Sequence, residues 1–79
     1  FIMTNTRITK DNIIKAVREM VENAVSYKTF VADFYAYATT LVDTNYVLIW
    51  TDDDTFEVFN VVSCLTYTLD YSKELENLD

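Results

Sequence analysis

Between Lys10 and Asp43 the apolar residues recur at alternating steps of four and three, which is the spacing of one face of an α-helix. An unbroken helix of this length would be about 50 Å long. A compact domain of 79 residues is only about 30 Å across. We therefore predict two helices with a break near Val25–Lys28, the second capped by Ser26 and the first by Thr9 or Asp11. The alternative is one continuous helix in a coiled-coil dimer.

The second half of this segment is apolar around most of its circumference, which predicts burial on several sides. A chain this short has a small core. The surplus of aromatic residues therefore predicts a self-association surface on the second helix, formed by Phe30, Tyr35 and Tyr37.

The remainder of the chain has the pattern of strands. Asp43-Thr44-Asn45 is turn chemistry that ends the second helix, and Tyr46–Trp50 is a short apolar run typical of a buried strand. Alternation then runs from Phe56 to Val61 and from Leu65 to Tyr71, as in half-buried strands. The rival interpretation is helical, because Asp54 and Glu57 have capping-box spacing and Val58, Val62, Leu65 and Leu69 recur at helical steps.

These elements predict one α+β domain over residues 1–79. Two N-terminal helices pack on a small antiparallel sheet of two to three strands, followed by a short helix at Ser72–Leu78 with Ser72 as its cap. Residues 1–8 are predicted to be a flexible arm. An all-α fold is the alternative, should residues 56–70 be helical.

The residue types that are absent restrict the chemistry. The chain has no glycine, proline or histidine, which excludes glycine-rich phosphate loops and histidine-based catalysis. Any left-handed backbone position is predicted to be an Asn or Asp, such as Asn45, Asp53 or Asn60. Cys64, the only cysteine, lies among apolar neighbours and is predicted to be a buried thiol in a reducing compartment. We predict no enzyme activity and no cofactor.

A metal site and a membrane segment are not predicted either. Asp52-Asp53-Asp54 has consecutive acids, whereas a calcium loop needs acids at alternate positions and a glycine. No apolar run approaches 18 residues, and no secretory signal pattern is found. The sequence therefore predicts a cytoplasmic protein, in the host cell cytoplasm if a phage encodes it.

Charge divides the chain into two unequal halves. Residues 1–30 carry five bases and three acids, whereas residues 31–79 carry ten acids and one base, Lys73. The acidic half repels nucleic acid and anionic membranes, and it attracts basic surfaces. We expect a basic host protein as partner, a nucleic-acid-binding protein or nuclease. The predicted contact residues are Asp52, Asp53, Asp54 and Glu57, with Asp33, Asp43 and Asp70 if the fold places them on the same face.

Small, acidic, histidine-poor inhibitors of this kind are typical of phage anti-defence proteins, including anti-CRISPR proteins and restriction inhibitors. The chain resembles them in kind, without a shared motif. We therefore expect a non-enzymatic inhibitor in which carboxylates stand in for phosphates and aromatic rings for bases. Two alternatives stay open: a homodimeric structural or adaptor module, and an antitoxin or immunity protein that neutralises a basic toxin.

Overall fold

Residues 8–78 are described by a computed structural model, in which two helices are followed by a three-stranded antiparallel sheet and a short helix. The α+β prediction is thereby confirmed, and the helical interpretation of residues 56–70 is wrong. Except for Ile8, the predicted flexible arm lies outside the described residues. The elements are α1 (Lys10–Glu22), α2 (Tyr27–Thr39), β1 (Tyr46–Trp50), β2 (Thr55–Asn60), β3 (Thr66–Asp70) and α3 (Ser72–Glu76).

The long apolar periodicity is divided between two helices, as predicted. Ser26 caps α2 with an extended backbone, and its side chain forms a reciprocal capping box with Thr29. Thr9 caps α1 through a bond from the Asn12 backbone N–H, 3.2 Å long. The break at residues 23–26 excludes the single continuous helix of the coiled-coil alternative.

The second helix ends at Thr39, four residues before the predicted end at Asp43. Thr39 and Thr40 donate their hydroxyls to the carbonyls of Ala36 and Tyr37, at 2.8 and 2.6 Å. Short polar side chains that bond to nearby backbone compete with helix continuation, and threonine is also β-branched. The residues that follow, 40–43, form turns.

The sheet is a meander in the order β1-β2-β3, with Trp50 opposite Phe56 and Phe56 opposite Leu69. These three residues share one face, which also carries Leu48 and Val58 and lies against the helices. The opposite face is left open and carries Val47, Ile49, Glu57, Phe59 and the three threonines of β2 and β3.

The molecule is flat, with extents of 35 × 32 × 17 Å, because one helical layer covers one side of one sheet. Its core draws on all six elements and the loop after α2. The buried core residues are Ile13, Val17, Val21, Phe30, Phe34, Leu41, Leu48, Phe56, Val58, Leu69 and Leu75. Between residues 8 and 78, no helix is long and apolar enough to cross a membrane.

The short α3 begins without the predicted cap. Its N-cap is Tyr71, whose side chain makes no capping bond, and Ser72 is the first helical residue. The carboxylate of Asp70 accepts from the Ser72 backbone N–H at 3.0 Å and from its hydroxyl at 2.8 Å. Leu75 is buried in the core, so α3 packs against it.

Cys64 is exposed, and the prediction of a buried thiol is wrong. Its backbone has φ 64°, and that of Asp54 has φ 61°. Asp54 is of the predicted residue type, although it is not one of the three positions named, whereas a left-handed cysteine contradicts the prediction. The β2–β3 turn closes with Cys64 N–H donating to the Asn60 carbonyl at 2.8 Å. That geometry requires a left-handed residue just before β3, whichever residue occupies the position.

We expect two results from the conformation of Cys64. A thiol reagent should label the native protein about as fast as a small model thiol, because no core packing shields the sulfur. Cys64→Gly should raise the free energy of unfolding by about 0.5–1 kcal/mol, because glycine relieves the left-handed backbone. Slow labelling that requires denaturant would contradict the exposed position. Cys64→Ala, which keeps the Cβ, is the control for the backbone effect in urea unfolding.

Candidate functional site

The acidic turn between β1 and β2 is held together by its flanking threonines. Thr51 N–H donates to the Thr55 carbonyl at 2.9 Å, and the two hydroxyls lie 2.8 Å apart. Thr51 also accepts from the backbone N–H of Asp53 at 3.2 Å. Since threonines and backbone groups form most of the turn, the exposed carboxylates of Asp52 and Asp53 take no part in holding it.

Trp50, the last residue of β1, joins this turn to α2. Its indole Nε1–H donates to Asp54 Oδ1 at 3.2 Å, which holds one carboxylate beside the ring. The ring stacks with Tyr35 at a centroid distance of 6.2 Å and meets Tyr27 edge-on at 6.0 Å. The ring also contacts the core through Phe34, at a centroid distance of 5.2 Å. Trp50 therefore connects the core to an aromatic surface next to the acidic turn.

These residues line one open groove between α2 and the turn, which we call the acidic–aromatic groove. Tyr27 is 40% exposed and Tyr35 is 56% exposed, so each tyrosine ring has one side toward Trp50 and another toward solvent. Carboxylates at the edge of aromatic faces suit a guanidinium or ammonium group, which gains from both the charge and the π-face. The lining residues are Tyr27, Val31, Tyr35, Trp50, Thr51, Asp52 and Asp54.

The fold brings only some of the predicted acidic contacts to this end of the sheet. Asp70 pairs with Thr55 in the register, so it lies at the same end as the turn. Glu57 pairs with Ile49 and Thr68, which places it on the open face of the sheet, away from the groove.

Two other predicted contacts lie elsewhere. Asp33 lines a separate depression between α1 and α2, together with Glu19 and Asn23. Asp43 follows α2, beside the start of β1, whereas the acidic turn follows its end. Neither Asp33 nor Asp43 therefore lines the groove. A partner bound in the groove would not depend on contacts with these two residues.

The hydrogen bonds from Ser72 lower the pKa of Asp70, the backbone N–H first and the hydroxyl second, with Lys73 adding a smaller attraction. A lowered folded pKa stabilises the fold above the ordinary value of 3.8, and this contribution is lost as the pH falls through the lowered value. We expect NMR titration of the Asp70 carboxyl to give a midpoint below 3.8. Asp70→Asn should weaken the decline of the melting temperature at acid pH; an unchanged decline would contradict this.

The predicted self-association residues have three different environments. Phe30 is completely buried within the single chain, so it belongs to the core and the prediction that it lies on a surface is wrong. Tyr37 is partly buried and lies between α1 and α2, where burial raises its pKa. Tyr35 remains exposed and lines the acidic–aromatic groove.

Sequence reasoning did not assign Tyr27 and Trp50 to the site. The signal was present in Trp50, because alternation from Leu48 places it on the helical side, two residues before the first aspartate. Nothing local in the sequence shows that α2 lies over this end of β1. The pairing of Tyr27 with Trp50 depends on that packing.

Across residues 8–78, no group of three or more histidine, cysteine, aspartate or glutamate side chains is arranged to hold a metal ion. Comparison with protein families, with characterised proteins and with solved structures finds no match to this chain. The site itself is therefore the basis for a functional proposal.

Proposed function

We propose that this protein is a non-enzymatic inhibitor that acts by protein–protein contact, in the manner of phage anti-defence proteins. The surface around its acidic–aromatic groove would bind the basic nucleic-acid site of a host protein. Bound there, it would exclude the nucleic acid. The observation that carries the proposal is the position of Asp52 and Asp54 beside the exposed rings of Tyr27 and Tyr35 and the half-buried ring of Trp50.

The chemistry of the groove supports a basic guest. Proteins that bind nucleic acid present arginine and lysine to phosphates, and the arginine guanidinium can also stack on bases. In the groove, carboxylates replace the phosphates, and the tyrosine and tryptophan rings replace the bases. An arginine could contact a carboxylate and an aromatic face at the same time.

The charge distribution also supports a basic partner. No base lies between Lys28 and Lys73 in the sequence, so no neighbouring side chain along this segment neutralises the turn. Like charges held together repel, and a basic partner relieves that repulsion while gaining attraction. Long-range attraction of this kind mainly raises the association rate.

Affinity capture tests the proposal. The protein and its Asp52→Asn, Asp53→Asn, Asp54→Asn variant would each be immobilised and exposed to bacterial lysate at low salt. We expect a basic nucleic-acid-binding protein to be retained by the unmodified protein and lost from the variant. The purified captured protein should then release its nucleic acid when the unmodified protein is added.

Two outcomes would contradict the proposal. One is equal capture by both forms, which would leave the carboxylates as solubilising groups. The other is a captured protein that keeps its nucleic acid when the inhibitor is bound. A captured toxin of basic charge would instead favour the immunity function.

A further inference from the structure

We propose that two copies of this chain associate through the outer edge of β3, pairing antiparallel about Thr68 to make one continuous six-stranded sheet. The inference is separate from the proposed inhibitor function, since it concerns a different surface and a different kind of partner. It rests on the register of the sheet, on the exposure of β3 and on the sequence of that strand.

The hydrogen-bond register shows which backbone groups of β3 point outward. Asn60 N–H donates to the Leu65 carbonyl at 2.9 Å, which fixes the phase of the β2–β3 ladder. The backbone N–H and C=O groups of successive residues point to opposite sides of a strand, so those of Tyr67 and Leu69 bond to β2. The N–H and C=O groups of Thr66, Thr68 and Asp70 then face away from the sheet. Among residues 8–78, nothing bonds to these outward backbone groups.

Nothing in the sequence of β3 blunts this edge. Natural edge strands are commonly protected by lysine, proline, a bulge or a covering segment. Thr66–Asp70 has none of the first three, and its first three residues are all exposed. The opposite edge differs, because at the start of β1 the Tyr46 N–H already donates to Thr44 Oγ1 at 3.1 Å. The backbone groups of Leu48 and Trp50 also face outward without a bond, so β1 has two such residues among those described, whereas β3 has three.

The strand is complementary to itself when centred on Thr68. An antiparallel copy places Thr68 opposite Thr68 of the second copy, and Thr66 opposite Asp70 of the second copy, twice by symmetry. Tyr67, which is 43% exposed, falls opposite Leu69 of the second copy on the helical side. Threonine pairs, hydroxyl–carboxylate pairs and aromatic–aliphatic pairs are all favourable across strands.

Charge favours this register over its alternative. Sliding the second copy so that Asp70 meets Asp70 would oppose two carboxylates, whereas the register about Thr68 opposes none along the strand. The whole-molecule charge of −7 still repels between copies. We therefore expect the dimer to tighten with added salt, as screening reduces the repulsion. Binding of a basic partner at the groove should weaken under the same change, so the two proposals can fail independently.

Two lysine substitutions on the same face of the same strand test the register. Thr68→Lys would place two like charges opposite each other, and we expect it to weaken the dimer at least tenfold. Thr66→Lys would face Asp70 of the second copy, and we expect it to tighten the dimer severalfold at low salt. Both variants change the net charge equally, so each is the matched control of the other.

Sedimentation velocity over a concentration series measures the association. The unmodified protein should approach about 18 kDa, twice the 9.2 kDa of one chain, at about 1 mM. Amide hydrogen exchange should slow with concentration at Thr66, Thr68 and Asp70. Circular dichroism would verify that both variants fold. A monomer at about 1 mM would overturn the proposal, as would equal effects of the two lysines or a dimer broken only by Val47→Lys on the open face.

Discussion

Phe30→Ala is expected to lower the free energy of unfolding by about 3–5 kcal/mol, the range for a fully buried phenylalanine. The Phe30 ring is completely buried and lies within 6.0 Å, centroid to centroid, of Phe34, Trp50 and Phe56. Removing it leaves a cavity where α2 meets the sheet. A domain of this size has a total stability of roughly 4–12 kcal/mol, so the loss would be a large fraction of it.

Urea unfolding monitored by circular dichroism measures this loss, with Tyr35→Ala as the control. Tyr35 is on the same helix but is 56% exposed, and its contact with Trp50 contributes about 0.5–1.5 kcal/mol. If the two alanine variants lost equal stability, Phe30 would not be the core residue described here. The same burial means that Phe30→Lys would unfold the chain, whatever the state of its assembly.

Replacing Asp52, Asp53 and Asp54 together with asparagine is expected to weaken binding of a basic probe at least tenfold at low salt. Asparagine keeps the size of each side chain, accepts the bond from Trp50 Nε1 and tolerates the left-handed backbone of Asp54. The free fold should therefore be unchanged or slightly more stable. Only the attraction to cations is removed.

Trp50 is the single tryptophan, so its fluorescence reports directly on the groove. Hexa-arginine is a suitable probe, titrated at low salt and again at about 0.5 M, where screening should reduce the affinity. The matched control removes three charges elsewhere, as Asp33→Asn, Asp43→Asn and Glu76→Gln. If the control lost as much affinity as the groove variant, binding would reflect net charge and the groove would not be the site.

Local patterns were sufficient for the elements themselves. Ser26 with Thr29 gives the α2 start, and alternation around Phe56 and Val58 gives a strand, because caps and periodicity are properties of neighbouring residues. Boundaries were less predictable where Thr39 and Thr40 bond to the preceding turn of helix, since apolar spacing carries no information about those hydroxyls.

The environment of single residues depended on longer-range geometry. Cys64 lies in a mainly apolar stretch of sequence, yet the β2–β3 turn places it in a left-handed conformation and holds it in solvent. Phe30 and Tyr35 were equivalent members of an apolar helix, but only Phe30 is buried against the sheet. The sequence pattern could not distinguish them, because residues around most of the helix were apolar.

By itself the sequence determined the fold class, the two-helix division and the acidic turn, since each follows from residues close in the chain. The tertiary structure decided that Tyr27, Tyr35 and Trp50 adjoin that turn, that Asp33, Asp43 and Glu57 do not, and that β3 is left as an open edge. These are contacts between elements distant in sequence. They are determined by how α2 packs on the sheet and by the order of the strands, which no local spacing records.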